Sequence, residues 1–363
     1  MSLADEIRAR LESLEDPTIG VGFKRARLVR DVSATDDDRR AKVTVGLVAP
    51  GHPGRDELEQ RVRKALSDLD LDGLEVAFEL AVPDRPPKPG QRPIPGVKHV
   101  LAVAAGKGGV GKSTVSTNLA FALHRLGARV GLMDADIYGP SLPKMLGEPD
   151  REVGKAPEGE GIAPALYRGM PAMSVDYFVE PGRAVIWRGP MIHKLLRQFA
   201  EDVRWGDLDA LVVDLPPGTG DAQISLCQLV PVSGAVIVTT PQEVALLDVR
   251  KAIDMFRKLE VPVLGVVENM SLYRCPSCGH AERVFGEGGG RRLAEEFDLP
   301  FLGELPLDPR IAAGGEAGTP IVEMAPDDPV ADAFAKVAAN VMLSAAKEAF
   351  AGPRRSAKLR PVS

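Results

Sequence analysis

The stretch that decides the fold of this chain is Gly106-Lys107-Gly108-Gly109-Val110-Gly111-Lys112-Ser113-Thr114, which contains the complete phosphate-loop pattern G-x-x-x-x-G-K-[ST]. Residues 100–104 form an apolar run of strand length that leads into it, and residues 113–126 carry apolar side chains at helical spacing. Gly127 is typical of a helix end. Because strand, glycine loop and helix follow in the order that this motif requires, the stretch predicts a site for a nucleoside triphosphate.

Each residue type in this loop has a chemical role. Glycines allow backbone N–H groups to turn toward phosphate oxygens, and the helix N-terminus adds its positive end. We expect Lys112 to reach the β- and γ-phosphates and the Ser113 hydroxyl to bind Mg²⁺. The whole stretch, residues 106–114, is therefore the predicted ATP-binding loop.

The composition is that of a globular protein with no strong preference for a polyanion. Of 363 residues, 44% are apolar and 26% are charged, and the net charge of −6 gives no basic field that would favour nucleic acid. No uncharged apolar run of about 18 residues is present, so we expect no transmembrane helix. The acidic N-terminus argues against a secretory signal, and three cysteines do not make a disulfide framework. We therefore expect a cytoplasmic protein that binds neither nucleic acid nor membrane.

The chain divides into four predicted parts. Residues 1–82 form a small α+β module in the order α-β-β-α-β, with helices at 4–14 and 56–69 and strands at 26–32, 42–48 and 74–80. Residues 83–97 contain six prolines and are predicted to be a semi-rigid linker outside the core. Residues 98–350 form the ATPase domain. Residues 351–363 form a basic tail, which we interpret as disordered rather than as a membrane or nucleic-acid anchor.

Strands and helices alternate along the predicted ATPase domain. Short apolar strands are expected at 130–133, 211–213, 235–239, 263–267 and 301–305, and helical patterns include 244–259, 289–297 and 330–350. This alternation predicts an α/β fold, a P-loop NTPase whose mostly parallel sheet is covered by helices on both faces.

Two acidic segments follow strands of this predicted sheet. Asp134 and Asp136 lie at the end of strand 130–133, and Asp214 ends strand 211–213. Active sites of parallel sheets lie at the carboxyl ends of strands, so these carboxylates are expected near the phosphate loop. We assign Asp214 to Mg²⁺ through its water shell, Asp134 to support of the metal and Asp136 to orientation of the attacking water. The alternative is that Asp134 and Asp136 only cap the following turn or helix.

The combination of Lys107 with Lys112 resembles the deviant phosphate loop of the MinD/ParA class of ATPases. Within that class, the chain resembles the Mrp/ApbC-type iron–sulfur cluster carrier ATPases. The matching segments are 104–114, 134–141, 187–191, 214–221 and 268–271, together with the cysteine segment that follows. The likeness covers residues 96–340, and more loosely the N-terminal module.

This resemblance implies roles for two further residues. Lys107 would cross to the nucleotide of a facing subunit and act in catalysis by neutralising charge on the transferred phosphoryl group. Asn269 would contact the adenine, although a turn-capping asparagine is the alternative. The family commonly has Asp where Glu316 stands, so we leave Glu316 out of the site. The module loop at residues 48–54 lacks the cysteine that often stands there, so a structural or docking role is expected for the module.

Cys275 and Cys278 form a C-x-x-C pair, which by itself is a weak signal with three interpretations. A redox dithiol normally opens a helix in a thioredoxin-like unit, whereas this pair lies in a predicted loop. Zn²⁺ needs four ligands, which two chains together can supply, and His280 is a third candidate ligand within one chain. A cluster shared between two subunits also needs four thiolates, two from each chain. Thiolates suit both, so the residues alone do not decide between zinc and a cluster.

The resemblance makes that choice, because it implies a labile [4Fe–4S] cluster bridged by Cys275 and Cys278 of two subunits, with Zn²⁺ as a possible substitute. The third cysteine, Cys227, lies in an apolar helical segment and is predicted to be buried and structural.

Three functions are consistent with these residues. The first is a homodimeric cluster carrier that binds and hydrolyses ATP, works with cluster-assembly factors and transfers its cluster to apo-proteins. The second is a positioning ATPase of the MinD/ParA kind, which would need an amphipathic C-terminal helix or a basic DNA-binding face. The third is a non-enzymatic scaffold that binds nucleotide and zinc.

Overall fold

The computed structural model describes residues 2–35, 39–87, 91–156, 161–179, 189–275 and 277–352. The helices are α1 (Leu3–Glu12), α2 (Phe23–Ala26), α3 (Arg55–Ala65), α4 (Lys112–Arg125), α5 (Leu142–Leu146), α6 (Gly189–Glu201), α7 (Asp221–Leu229), α8 (Glu243–Lys258), α9 (Gly289–Glu296), α10 (Pro309–Glu316), α11 (Ile321–Met324) and α12 (Pro329–Ala351). Residues 353–363 of the predicted basic tail lie outside the described residues, and Ala351 still belongs to α12.

The strands alternate with these helices along the chain. They are β1 (Glu15–Asp16), β2 (Val21–Gly22), β3 (Val29–Thr35), β4 (Arg40–Leu47), β5 (Gly73–Leu80), β6 (Val97–Ala105), β7 (Val130–Asp134), β8 (Gly154–Lys155), β9 (Ile162–Ala163), β10 (Ala165–Tyr167), β11 (Met170–Met173), β12 (Leu208–Asp214), β13 (Val232–Thr239), β14 (Val263–Glu268), β15 (Tyr273–Arg274), β16 (Ala281–Glu282) and β17 (Phe301–Glu304).

The phosphate-loop strand β6 lies inside the large sheet. In the described residues this sheet has the order β10-β11-β7-β12-β6-β13-β14-β17, and only β10 pairs antiparallel with its neighbour. The last seven residues of β6 and the whole of β12 and β13 are buried. Strands buried on both faces need continuous apolar sequence, which explains why they appear as unbroken apolar runs. The predicted α/β P-loop fold is confirmed.

Two helix layers cover the sheet. Helices α4 and α12 lie on one face, where alternate β6 residues such as Leu101 and Val103 point. Helices α6, α7, α8 and α9 cover the other face, which receives Val100 and Ala102. Consecutive side chains of β6 therefore point into opposite cores, and the loop that follows β6 is anchored on both faces of the sheet.

The N-terminal module packs β3, β4 and β5 against α1 and α3, in the sheet order β3-β4-β5. Its core is continuous with the α4 and α12 layer of the ATPase domain. The loop at residues 48–54 lies at this junction, because a Cβ at Gly51 would come within 3.0 Å of Leu126 and 3.5 Å of Ala339. His52 is buried there, with its Nε2 3.2 Å from the Asp16 carboxylate. The loop that lacks the family's cysteine thus packs at the junction between the module and the ATPase domain.

The proline-rich segment is more closely packed than the sequence predicts. Gln91 donates from Nε2 to the carbonyls of Cys227 and Val230, at 2.8 and 3.1 Å. Ile94 is only 3% exposed and belongs to the core, and β6 already begins at Val97. The expectation that residues 83–97 lie outside the core is therefore wrong for this part. Prolines carry no N–H to satisfy, so such a segment can pack against the domain with fewer buried donors left unpaired. Residues 88–90 lie outside the described part.

Several predicted bounds change for identifiable reasons. The strand expected at 26–32 begins only at Val29, because α2 occupies Phe23–Ala26 and ends at Arg27 in the left-handed region. The helix expected at 56–69 ends at Ala65. No helix in the described part of the chain is long and apolar enough to span a bilayer.

Candidate functional site

The phosphate loop opens into a cavity of 450 Å³ at the carboxyl ends of the parallel strands. Gly109 and Gly111 have φ values of +80° and +81°, which only glycine adopts readily, and these two residues give the loop its curvature. Helix α4 begins at Lys112 and directs its N-terminus into the cavity. The predicted loop residues that line the cavity are Lys107, Gly108, Gly109, Gly111, Lys112, Ser113 and Thr114.

Lys112 is the centre of a buried polar network. Its Nζ donates to Asp214 Oδ1 at 2.8 Å and to Ser113 Oγ at 3.2 Å, and it lies 3.9 Å from Asp136 Oδ2. Ser116 Oγ donates to the same Asp214 oxygen at 2.6 Å. The structure thus brings together Lys112, Ser113, Asp136 and Asp214, as the sequence predicts, and adds Ser116, which lies one helical turn after Lys112.

Asp214 has the features of a group that supports a divalent cation. Its side chain is fully buried, and its second carboxylate oxygen, Oδ2, has no hydrogen-bond partner in the described structure. A buried carboxylate oxygen without a donor is costly unless a cation or water satisfies it. The Ser113 hydroxyl is close, because both groups share Lys112 as a partner. Oxygen donors of this kind fit Mg²⁺.

Asp134 is bonded differently from what a metal ligand requires. Its Oδ1 accepts from the backbone N–H of Asp136, and its Oδ2 accepts from the N–H groups of Ser141 and Leu142 and from Ser174 Oγ. Both oxygens are therefore used by the protein. Burial, reinforced by the nearby charge of Asp214, raises the pKa of Asp134 to about 7. Asp134 holds the loop at residues 135–142 in place, so its support of a metal is indirect.

Asp136 lies on the cavity wall, where the sequence places the residue that orients water. Its Oδ1 accepts from the N–H of Gly139, which leaves Oδ2 directed toward Lys112. Burial raises the pKa of Asp136, and the charge of Lys112 partly opposes that effect. The carboxylate thus combines partial burial with access to the cavity, which a group that orients water needs.

Asn269 lies behind the phosphate loop rather than on the cavity wall. It is 5% exposed, and its Nδ2 donates to the carbonyl oxygen of Val110 at 2.9 Å. A Cβ at Gly111 would lie 2.3 Å from that Nδ2, so only glycine fits there. Asn269 thus holds the loop through its amide N–H, and the adenine contact that the resemblance implied stays a prediction.

The cavity has further wall residues that the motifs do not indicate. They are Ser141, Lys144, Met145, Pro217, Ile311, Ala312, Gly315 and Glu316. Glu316, which was left out of the predicted site, therefore belongs to the cavity wall and lies 4.0 Å from Lys144. The sequence feature that could have indicated this wall is the run of small residues in α10, where Gly315 leaves room beside Met145.

The cysteine pair lies in a separate hairpin formed by β15 and β16. Cys275 donates its N–H to the carbonyl of His280, and Gly279, with a φ of +72°, donates back to the carbonyl of Cys275. The N–H groups of Cys278 and Ser277 donate toward the Cys275 sulfur and lower the pKa of its thiol. Cys275 is partly exposed and Cys278 is exposed. Pro276, which lies between them, is outside the described residues.

This hairpin leaves both thiols accessible, and the thiolate is the form of cysteine that binds a metal. Within the described residues of one chain, no group of three or more His, Cys, Asp or Glu side chains is arranged to hold a metal ion. Two thiols per chain therefore need further ligands from elsewhere to complete four-coordination. Cys227 belongs to α7 and is buried in the core, which agrees with its predicted structural role.

Comparison with known proteins assigns this architecture. The family described as ParA, NUBPL iron-transfer P-loop NTPase, matches residues 96–342. The chain belongs to this family. A second family, described as iron–sulfur cluster assembly protein, matches residues 4–77, which form the N-terminal module.

The similarity between this iron-transfer NTPase and its relatives extends over almost the whole chain. The iron–sulfur cluster carrier protein of Deinococcus radiodurans is 46% identical over 341 residues, covering 92% of this chain and 93% of its own. That of Escherichia coli is 41% identical over 326 residues, covering 88% and 86%. The solved nucleotide-binding protein of Archaeoglobus fulgidus in complex with ADP is 39% identical, covers 61% of this chain and 87% of its own, and superimposes with a TM-score of 0.55. The predicted family resemblance is confirmed, and family membership implies NTPase activity.

Proposed function

We propose that this chain is an iron–sulfur cluster carrier that binds and hydrolyses ATP. It holds a [4Fe–4S] cluster between Cys275 and Cys278 of two subunits and transfers that cluster to apo-proteins. The observation that carries the proposal is the solvent-facing two-thiol hairpin on the same domain as a complete phosphate site. The relatives named as cluster carriers support it over nearly the full length.

The half-complete thiol site supports a dimer. Each chain supplies two thiols with a depressed pKa at Cys275, and a cluster takes four. Lys107 on the cavity wall is the residue expected to reach the partner's nucleotide. Leu247 and Val244, on the first turns of α8, are 60% and 68% exposed and give this side of the domain an apolar surface.

The nucleotide site works through residues already in contact. Lys112 exchanges its bond to Asp214 for the β- and γ-phosphates when a nucleotide enters, which frees Asp214 and Ser113 to face a cation. Ser113 and Asp214 would hold Mg²⁺ there, and the cation would supply positive charge against the phosphates. Asp136 orients the attacking water, and Lys107 of the facing subunit stabilises charge on the phosphoryl group. Asp134 keeps Asp136 in position.

Anaerobic reconstitution of the full-length chain tests the carrier function. Iron and sulfide should give a brown protein with about four irons and four sulfides per dimer, as a shared cluster requires. Cys275→Ala should abolish this colour, because two ligands of the four are lost. Cys227→Ala is the matched control, since Cys227 is 5% exposed in the core, and it should bind cluster normally.

Two results would contradict the carrier function. Cluster binding by Cys275→Ala equal to that of the parent would exclude the hairpin as the ligand. Stoichiometric Zn²⁺ without sulfide, in protein purified anaerobically and lacking ATP turnover, would identify the chain as a zinc-binding scaffold instead.

The proposal includes a compartment and partners. None of the three cysteines forms a disulfide in the described part of the chain, and thiols stay reduced in the cytoplasm, where we place the protein. Its partners are a second copy of the chain, cluster-assembly factors and apo-proteins that need a cluster.

A further inference from the structure

A short segment connects the phosphate loop directly to the cysteine hairpin. Asn269 follows β14, and its backbone N–H donates to the carbonyl of Thr239 at 2.7 Å while its side chain donates to Val110. Met270 then turns in the left-handed region, with a φ of +57°. Cys275 comes five residues later. The distance in sequence between the group that touches the loop and the first thiol is therefore very short.

Each step of this segment is tied to neighbouring structure. Ser271 donates to the carbonyl of Leu305 from both its backbone N–H and its Oγ, each at 3.0 Å, and it is 2% exposed. Leu272 accepts from the N–H of Leu307 at 2.9 Å, and Tyr273 forms a bridge with Leu307. The segment from Asn269 to β15 is therefore held by hydrogen bonds at successive positions, which gives a continuous physical connection between the phosphate loop and the hairpin.

The bond from Asn269 also orients a phosphate-binding group. The Val110–Gly111 peptide is planar and trans, so its carbonyl and its N–H point in opposite directions. Because the Val110 carbonyl points at Asn269, the Gly111 N–H points away from it, and Gly111 lines the cavity. Phosphate that binds the Gly111 N–H therefore pulls on the same peptide plane that Asn269 holds from behind.

We propose that Asn269 is the positioning residue that transmits occupancy of the phosphate site to the cysteine hairpin. Nucleotide binding shifts the Val110–Gly111 peptide, Asn269 follows it, and the segment to Cys275 changes the exposure and spacing of the two thiols. This inference rests on the proposed function for its biological meaning, since it makes cluster retention depend on the nucleotide. The coupling itself is a property of the chain and exists without a cluster.

Thiol labelling of the metal-free, full-length chain tests this coupling. The rate of iodoacetamide labelling of Cys275 and Cys278 is measured by mass spectrometry under anaerobic conditions, with and without a saturating non-hydrolysable ATP analogue and Mg²⁺. In the parent chain we expect the analogue to change the rate by about fivefold, a typical coupling between two sites. In Asn269→Asp the ratio should approach one, because a carboxylate cannot donate to the Val110 carbonyl.

A control separates this effect from the general loss of an amide that donates to a strand carbonyl. Asn340 also donates its Nδ2 to a strand carbonyl, that of Leu302, at 2.9 Å, but it lies on α12 away from the segment. Asn340→Asp should keep the parent's ratio. Ser271→Ala removes one bond of the segment without touching the loop, and it should lower the ratio. If Asn269→Asp no longer binds the analogue, the Ser271→Ala ratio decides the question.

The outcomes are distinct from those of cluster reconstitution. An equal labelling rate with and without the analogue in the parent overturns the coupling. So does an unchanged ratio in Asn269→Asp, provided that this variant still binds the analogue. If Asn269→Asp does not bind the analogue, an unchanged ratio in Ser271→Ala overturns the coupling. A chain that shows the coupling but takes up no cluster contradicts the carrier function and leaves this inference standing.

Discussion

Ser116 is a functional residue that the phosphate-loop pattern does not include. Its hydroxyl donates to Asp214 Oδ1 at 2.6 Å, inside a network that is otherwise closed by Lys112. Hydrogen bonds to a buried charged group contribute about 1.5–3 kcal/mol. Ser116→Ala should therefore lower kcat/KM for ATP by about tenfold or more, with the oxygen of Asp214 less firmly placed. Steady-state ATPase assays measure this.

The control for Ser116 is its neighbour Thr117, which is buried in the same helix and whose hydroxyl lies 4.0 Å from the sulfur of Met145. Thr117→Val preserves its shape and should leave kcat/KM close to that of the parent. Equal losses in both variants would show that α4 packing, not the bond to Asp214, is responsible.

Asp134 gives the nucleotide site a pH dependence near neutrality. Its pKa is raised to about 7 by burial and by the Asp214 charge, so its carboxylate loses charge as the pH falls through that value. A neutral Asp134 accepts more weakly from the N–H groups that hold the loop at residues 135–142. We expect kcat/KM, which reports the free protein, to fall between pH 8 and pH 6. Asp134→Asn, which cannot ionise, should give a low and flat profile over this range.

The free energy of unfolding depends on the titration of Asp134 in the opposite direction from kcat/KM. Because the folded pKa is above the ordinary value of 3.8, the folded state binds the proton more tightly than the unfolded state. The contribution of Asp134 to stability is therefore complete below about pH 3.8 and is lost as the pH rises to about 7. A kcat/KM that rises toward pH 6 would contradict the assigned role of Asp134.

At the scale of elements, Gly111 joins the phosphate loop to α4 in a conformation that other residues avoid. Its φ is +81°, and a Cβ would meet Asn269 Nδ2 at 2.3 Å. Gly111→Ala should destabilise the nucleotide-free protein by about 1–2 kcal/mol from the backbone alone, with the steric overlap in addition. It should also weaken nucleotide binding. Thermal unfolding and equilibrium dialysis measure the two effects.

Gly108 is the matched control in the same loop. Its φ is not in the left-handed region, and a Cβ there would meet open space. Gly108→Ala should leave the unfolding temperature of the nucleotide-free protein unchanged. A similar loss of stability in both variants would rule out the conformation of Gly111 as the cause.

The elements that bear the site were predictable because each has a local signature. The phosphate loop, the apolar strands and the aspartates at their ends depend on short-range pattern, and these features appear where expected. The burial of Ile94 was not predictable, because it depends on how a proline-rich segment lies against distant strands. The same holds for Asn269, whose partner Val110 is 159 positions away. Long-range contacts leave no periodicity in the sequence.

At the scale of the whole molecule, the proposed dimer makes α8 a surface of contact. The segment Asp248–Val249 of α8 packs against the phosphate loop so closely that a Cβ at Gly106 would lie 2.4 Å from it. Leu247, which is 60% exposed, lies just before that contact. Burial of such a side chain contributes about 1.5–3 kcal/mol, so Leu247→Asp should weaken the ATP-dependent dimer at least about tenfold. Sedimentation velocity with ATP and Mg²⁺ measures the dimer.

Met324 on α11 is the control for this surface, since it is 44% exposed and lies on the other helix layer. Met324→Asp should leave dimerisation as in the parent. If both variants dissociate, or if neither does, the exposed face of α8 is not the dimer contact.

The junction between the N-terminal module and the ATPase domain has a consequence for synthesis of the chain. Gly51 lies against Leu126 and Ala339, and Arg25 donates to the carbonyl of Phe350 near the end of α12. The N-terminal module emerges from the ribosome before α12, the helix that packs against one side of it. Until α12 has emerged, the loop at residues 48–54 has only the Leu126 side of its docking surface. A chain released before α12 is complete therefore leaves the other side of this loop uncovered, which makes an unfinished product distinguishable from a finished one to chaperones and proteases.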